Sequence, residues 1–134
     1  LKLPGGTIMA KGRVLVMDDE DFIKDVMGSM LEMLDYEVDF ANDGAQALSM
    51  YQEALEKNSR FDAVIMDLTI PGGKGGKETI QDLLKIDAKA KAIVSSGYSN
   101  DIIMSNFKDF GFAAVIAKPF QIEDLRRVLD RIFK

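Results

Sequence analysis

Ala63-Val64-Ile65-Met66-Asp67-Leu68-Thr69-Ile70-Pro71-Gly72-Gly73 decides how the rest of the chain is read, because four apolar residues end abruptly in one carboxylate and then in turn residues. An apolar run without polar alternation fits a strand covered on both faces, the arrangement of parallel sheets between helical layers. Pro71 and the two glycines forbid further regular structure. The stretch therefore predicts a strand that delivers Asp67 to the carboxyl edge of a sheet, where open α/β folds bind their ligands. Taken alone, Asp67 reads more readily as a residue that merely caps or ends the strand; the rest of the chain overturns that.

Upstream, Arg13-Val14-Leu15-Val16-Met17 predicts a buried strand ending in Asp18-Asp19-Glu20-Asp21. Phe22, Ile23, Val26, Met27, Met30, Leu31 and Leu34 then recur at helical spacing, with acids in the first turn where the helix dipole favours them. Tyr36-Glu37-Val38-Asp39-Phe40 alternates, as a strand with one wetter face does, and is placed at a sheet edge. Asn42-Asp43-Gly44 makes a turn into a second helix marked by Ala45, Leu48, Tyr51 and Leu55. Downstream of Asp67, a glycine-rich loop leads to a third helix carrying Ile80, Leu83, Leu84 and Ile86. A fourth strand over Lys91 to Gly97 ends in Ser95-Ser96-Gly97. Ile102, Ile103, Phe107 and Phe110 predict a shorter fourth helix. A fifth strand, Ala113 to Ala117, stops at Lys118-Pro119, and Ile122, Leu125, Val128, Leu129 and Ile132 close the chain with a fifth helix. This alternation predicts one doubly wound, five-stranded parallel sheet with right-handed crossovers and helices on both faces.

Composition bounds the function. The 134 residues suit one domain with a real core, and residues 1–11, with Pro4, Gly5 and Gly6, read as a linker or tail ahead of a folded unit over 12–134. A net charge of −5 without a basic stripe argues against a nucleic-acid surface. With neither Cys nor His, thiolate metal sites, disulfides and imidazole bases are absent, so chemistry must run on carboxylates, Lys, hydroxyls or a hard metal ion. No apolar run is long enough to span a bilayer and no signal-peptide core is present, so no membrane contact is expected and the cytoplasm is the expected compartment.

Just beyond the predicted strands stand Asp18 and Asp19, Asp67, Ser96 and Lys118, all at one edge of one sheet. Each alone has an ordinary explanation: N-caps for the acidic pair, a turn former for Ser96, a solvated charge for Lys118. Three carboxylates, a hydroxyl and a lysine together are better explained as a site for a hard cation and a phosphoryl group. Clustered carboxylates without an opposing cation repel, and either raise their pKa or recruit an ion such as Mg²⁺, which prefers oxygen ligands. An ionised aspartate can attack phosphorus to give an acyl phosphate. Ser96 and Lys118 are placed to contact the new phosphate oxygens.

From Gly12 onward the chain resembles the receiver domains of two-component response regulators. The resemblance rests on Asp18-Asp19, on Asp67 followed by Ile70-Pro71-Gly72, on Ser96-Gly97 and on Lys118-Pro119-Phe120. It implies a flavodoxin-like sheet of order 2-1-3-4-5 and phosphorylation of Asp67 by a histidine kinase or histidine phosphotransfer protein, self-catalysed and without turnover of a separate substrate. It further implies Mg²⁺ held by Asp19, Asp67 and the backbone carbonyl of Thr69, with Asp18 acting through water. Ser96 would swing toward the phosphate, Lys118 would pair with it, and the face of helix 4, strand 5 and helix 5 would switch; a homodimer is compatible with this. Two departures stand out: Val115 occupies the position, three before the lysine, where many receivers carry an aromatic ring, and Gly72-Gly73-Lys74-Gly75-Gly76-Lys77 is expected to be more flexible than the usual acceptor loop. That loop, Ser95-Ser96-Gly97-Tyr98-Ser99 and Leu3-Pro4-Gly5-Gly6-Thr7 are similar to segments of hybrid sensor kinases.

Rival readings fail on particular residues. A P-loop would need Gly where Pro71 stands and Ser or Thr where Glu78 follows Lys77. A flavodoxin-type flavin protein shares the fold, but Asp18-Asp19-Glu20 would repel the flavin phosphate. A haloacid-dehalogenase-type phosphatase wants a second acid where Thr69 stands. The remaining alternative is a degenerate receiver that binds partners without phosphorylation, which would usually lack one of the carboxylates or the lysine.

Overall fold

Strand and helix alternate along the chain as the apolar spacing predicts, in a computed structural model that describes residues 10–97 and 101–133. The leading Leu3–Thr7 segment and the Tyr98-Ser99 part of the serine run lie outside the described residues. The elements run β1 (Gly12–Met17), α1 (Asp21–Met33), β2 (Tyr36–Ala41), α2 (Gly44–Glu56), β3 (Ala63–Asp67), α3 (Gly76–Ile86), β4 (Ala92–Ser96), α4 (Ile102–Ser105), a 3₁₀ turn (Phe107–Phe110), β5 (Ala114–Ala117) and α5 (Ile122–Ile132). All strand pairs are parallel and the order is β2-β1-β3-β4-β5, with the alternating strand at one edge.

Two apolar layers flank the sheet. Val14, Val16, Ala63, Ile65 and Ile93 pack with Met27 and Leu31 of α1 and Leu125 and Leu129 of α5. Leu15, Met17, Val64, Met66 and Val94 pack with Tyr51 of α2, Ile80 and Leu83 of α3, and Ile103 of α4. Alternate strand residues feed opposite layers, so strands wanted on both sides must be apolar throughout. Each fully buried side chain of this kind contributes about 1.5–3 kcal/mol relative to exposure.

Three readings change. The fourth helix is two short pieces, α4 and the 3₁₀ turn, interrupted at Asn106 (φ −116°, ψ 37°); Ser105 and Asn106 are exposed and poor helix formers, so nothing carries the helix across. Phe22, counted among the apolar positions of α1, is 74% exposed, and Lys24 is buried in that helix instead, its ammonium bonded to Asn42 Oδ1 and 3.3 Å from Asp21. In α2 the buried alanines are Ala47 and Ala54, with Ala45 exposed, because the stripe is set by how the helix lies on the sheet. No helix among the described residues is long and apolar enough to cross a membrane.

Candidate functional site

Sheet register brings the site together. Met17 of β1 pairs with Met66 of β3, so the next residues, Asp18 and Asp67, leave the sheet side by side. Asp67 pairs with Ser95, and Ser96 with Ala117, so Lys118 follows at the same edge. Parallel strands put every carboxyl end on one side, which is why residues up to 100 positions apart meet there.

Asp18 is only 2% exposed. Its Oδ1 accepts the Glu20 N–H at 2.9 Å, and its Oδ2 accepts from Lys118 Nζ at 2.9 Å. The same Nζ lies 3.6 Å from Asp67 Oδ1. The sequence reading has the acids without an opposing cation; the structure corrects this, since Lys118 stands between two of them. Neither acid of the pair is the N-cap of α1, a position that Glu20 holds without a side-chain capping bond. Burial, opposed by Lys118 and aided by Asp18 and Asp19, pushes the Asp67 carboxyl up to about 6. Burial disfavours the Lys118 charge, but its bond to Asp18 and the charges of Asp67 and Asp18 outweigh that and hold the ammonium above its ordinary pKa.

Around these groups opens a cleft of about 440 Å³, lined after β1 by Asp19 and Glu20, at β3 by Asp67, Thr69 and Pro71, at β4 by Ser96 and Gly97, and after β5 by Lys118. Asp18, Asp19 and Glu20 each offer a carboxylate oxygen, and these atoms lie within 4.8 Å of one another. An all-oxygen, multiply anionic donor set with room for water suits a hard divalent ion such as Mg²⁺. Glu20 was not among the site residues expected, yet it lines the cleft; its place directly after the acidic pair was the available signal. Of the two serines, Ser96 lines the cleft, whereas Ser95 Oγ is buried without a hydrogen-bond partner.

The loop after Asp67 is better tied than its glycines suggest. Gly73 N–H donates to Ile70 O at 3.1 Å across a turn with Gly72 at φ +74°, which suits Pro followed by Gly in a type II turn. Lys77 N–H donates to Leu68 O, and Gly44 N–H of α2 donates to Lys74 O. At β5, Val115 is half-buried.

The response regulator receiver domain family model matches residues 14–130. The chain is 31% identical to the chemotaxis protein CheY of Thermotoga maritima, over 91% of this chain and 98% of that protein. It is 27% identical to the sporulation initiation phosphotransferase F of Bacillus subtilis, over 92% of this chain and 94% of that protein. Among solved structures, the receiver domain of sensor histidine kinase PA1611 from Pseudomonas aeruginosa, with a magnesium ion coordinated in its active-site cleft, superposes with a TM-score of 0.78 at 25% identity, over 91% of this chain and 97% of that one.

Proposed function

Since the chain belongs to the response regulator receiver domain family of two-component signalling, we propose that Asp67 is its phosphoacceptor and that Asp19, Asp67 and the Thr69 carbonyl, with Asp18 through water, hold Mg²⁺. The observation that carries this reading is the Asp67 carboxylate at the end of β3, lining the cleft beside the acidic cluster and 3.6 Å from Lys118. In the transfer, one Asp67 oxygen attacks phosphorus. The new O–P bond forms as the P–N bond to a donor imidazole breaks, and the imidazole leaves with that electron pair and is reprotonated by solvent. Lys118 offers its ammonium to the arriving phosphoryl oxygens, and Ser96 offers its hydroxyl. A bound Mg²⁺ would supply neutralisation of phosphoryl charge.

The donor is a phosphohistidine on a histidine kinase or phosphotransfer protein, a reading supported by the phosphotransferase and sensor-kinase relatives. The receiver unit spans 12–134 with 1–11 as a linker or tail, and phosphorylation shifts the face formed by α4, β5 and α5. Intact mass after incubation with a small phosphodonor and Mg²⁺ tests the acceptor. One phosphate should add to the protein, and none to Asp67→Asn; equal labelling of both would remove Asp67 from the role. A receiver that only binds partners would take no phosphate and would ignore beryllofluoride.

A further inference from the structure

The acceptor loop is held in place by a contact that leaves no room for a side chain. Gly44, the first residue of α2, donates its N–H to Lys74 O at 2.7 Å. A β-carbon on Gly44 would lie 1.8 Å from Thr79 Oγ1, 2.9 Å from Lys74 Cβ and 3.0 Å from Lys74 O. Thr79 belongs to α3, is fully buried, and its Oγ1 has no hydrogen-bond partner. The bare Gly44 Cα is therefore seated against a buried hydroxyl, where a weak Cα–H···O contact is the interaction open to that oxygen. The other end of this turn is fixed to the acidic pair: Asp18 N–H donates to Ala41 O at 3.0 Å, and Lys24 of α1 bonds Asn42. Asp43 caps α2 through Gln46 N–H at 2.9 Å. A continuous set of links thus runs from the end of β1, through residues 41–44, to the loop that follows Asp67.

We propose that Gly44 is a positioning residue for the acceptor cleft: its lack of a side chain against Thr79 and its bond to Lys74 set the distance between the acidic pair after β1 and the loop bearing Thr69. This rests on the phosphoacceptor reading above. It adds that cation affinity is controlled from α2, by a residue that does not line the cleft. A methyl at Gly44 must displace Thr79 Oγ1 by more than an ångström, through the Thr79 side chain or the start of α3, and crowds Lys74 Cβ and O, since real β-carbons essentially never approach another atom within 3.0 Å.

The experiment is Mg²⁺ titration by calorimetry on wild type, Gly44→Ala, Thr79→Ala and the double variant, with amide exchange on the metal-free proteins. Gly44→Ala should bind Mg²⁺ at least tenfold more weakly and exchange faster at residues 73–77, while still unfolding cooperatively. Thr79→Ala, which loses buried contacts without pushing the loop, should bind within about twofold of wild type, and adding it to Gly44→Ala should recover part of the lost affinity. If Gly44→Ala does not fold, Thr79→Val carries the comparison, because its methyl replaces Oγ1 against the Gly44 Cα and should bind more weakly than Thr79→Ala. Wild-type affinity in Gly44→Ala, or equal losses in Gly44→Ala and Thr79→Ala, overturns the positioning role alone. A wild-type protein that binds no Mg²⁺ overturns it together with the functional reading.

Discussion

Lys118 hydrogen-bonds Asp18 at 2.9 Å and stands 3.6 Å from Asp67, so the cleft keeps its own cation closer to the end of the first strand than to the end of the third. Asp18 is nearly inaccessible, and removing Lys118 leaves its buried charge with the Glu20 N–H as its remaining donor and without the ammonium that faces it. Lys118→Met should therefore destabilise the metal-free protein by about 3 kcal/mol. Urea unfolding measures this, and Mg²⁺ should recover much of the loss, because the ion then has no resident ammonium to compete with. A variant as stable as wild type without metal would mean that the pair contributes nothing to the fold.

Asp67 gives the metal-free protein a defined pH dependence. Its carboxyl titrates near 6 in the folded chain, against an ordinary 3.8, so the folded state binds a proton more tightly between those values. The stability that this group contributes is then full below about pH 4, falls as pH rises to about 6, and is gone above. The loss is on the order of 2 kcal/mol, the roughly 3 kcal/mol of the shift itself being reduced by the solvent that reaches this half-buried carboxylate. Asp67→Asn should abolish this slope and be the more stable protein at pH 7.5. Parallel stability curves for the two proteins across that window would contradict the assignment.

Magnesium should act on the fold itself. An ion that binds only the folded chain stabilises it by about 1.4 kcal/mol at tenfold excess over its dissociation constant. Thermal unfolding with and without millimolar Mg²⁺ reads this directly; Asp19→Asn should blunt the rise. An unchanged midpoint in the wild-type protein would speak against a metal site.

At the far end of the sheet, Tyr51 OH donates to Asp87 at 2.7 Å, and Arg60 lies 3.1 Å from the same carboxylate. The Tyr51 bond, with Lys89 N–H and Arg60, holds the Asp87 carboxyl below its ordinary pKa despite partial burial. A depressed carboxylate contributes stability above its unfolded pKa and loses it as pH falls through the folded one. Tyr51→Phe should cost about 1–3 kcal/mol at pH 7 and flatten the acid limb of the stability curve. Phosphate uptake at Asp67, at the opposite edge, should be unaffected; a changed rate would show that the two ends are coupled.

The fold was legible because its signal is periodic. The apolar runs at β1, β3 and β4, the alternation at β2 and the spacing in α5 each identify an element locally, and the right-handed crossover rule arranges them. α4 was not legible to the same degree: Ile102, Ile103, Phe107 and Phe110 keep helical spacing, yet the backbone breaks at Asn106, and Ile102 is left 64% exposed. Phe22 misled for a related reason, since spacing gives a face but not how much of that face the sheet covers.

By itself the sequence determined which residues reach the mouth: Asp18, Asp19, Asp67, Ser96 and Lys118 all stand at strand ends, and strand ends in a parallel sheet share an edge. Tertiary structure alone decided how they pair there. Lys118 and Asp18 are 100 positions apart, and their contact depends on strand register and on how deeply each group is buried. The seat of Gly44 on Thr79 likewise exists only once α2 and α3 are packed together. Local chemistry fixes which groups arrive, whereas distances of a few ångströms between groups far apart in the chain are set by the packing of the whole core.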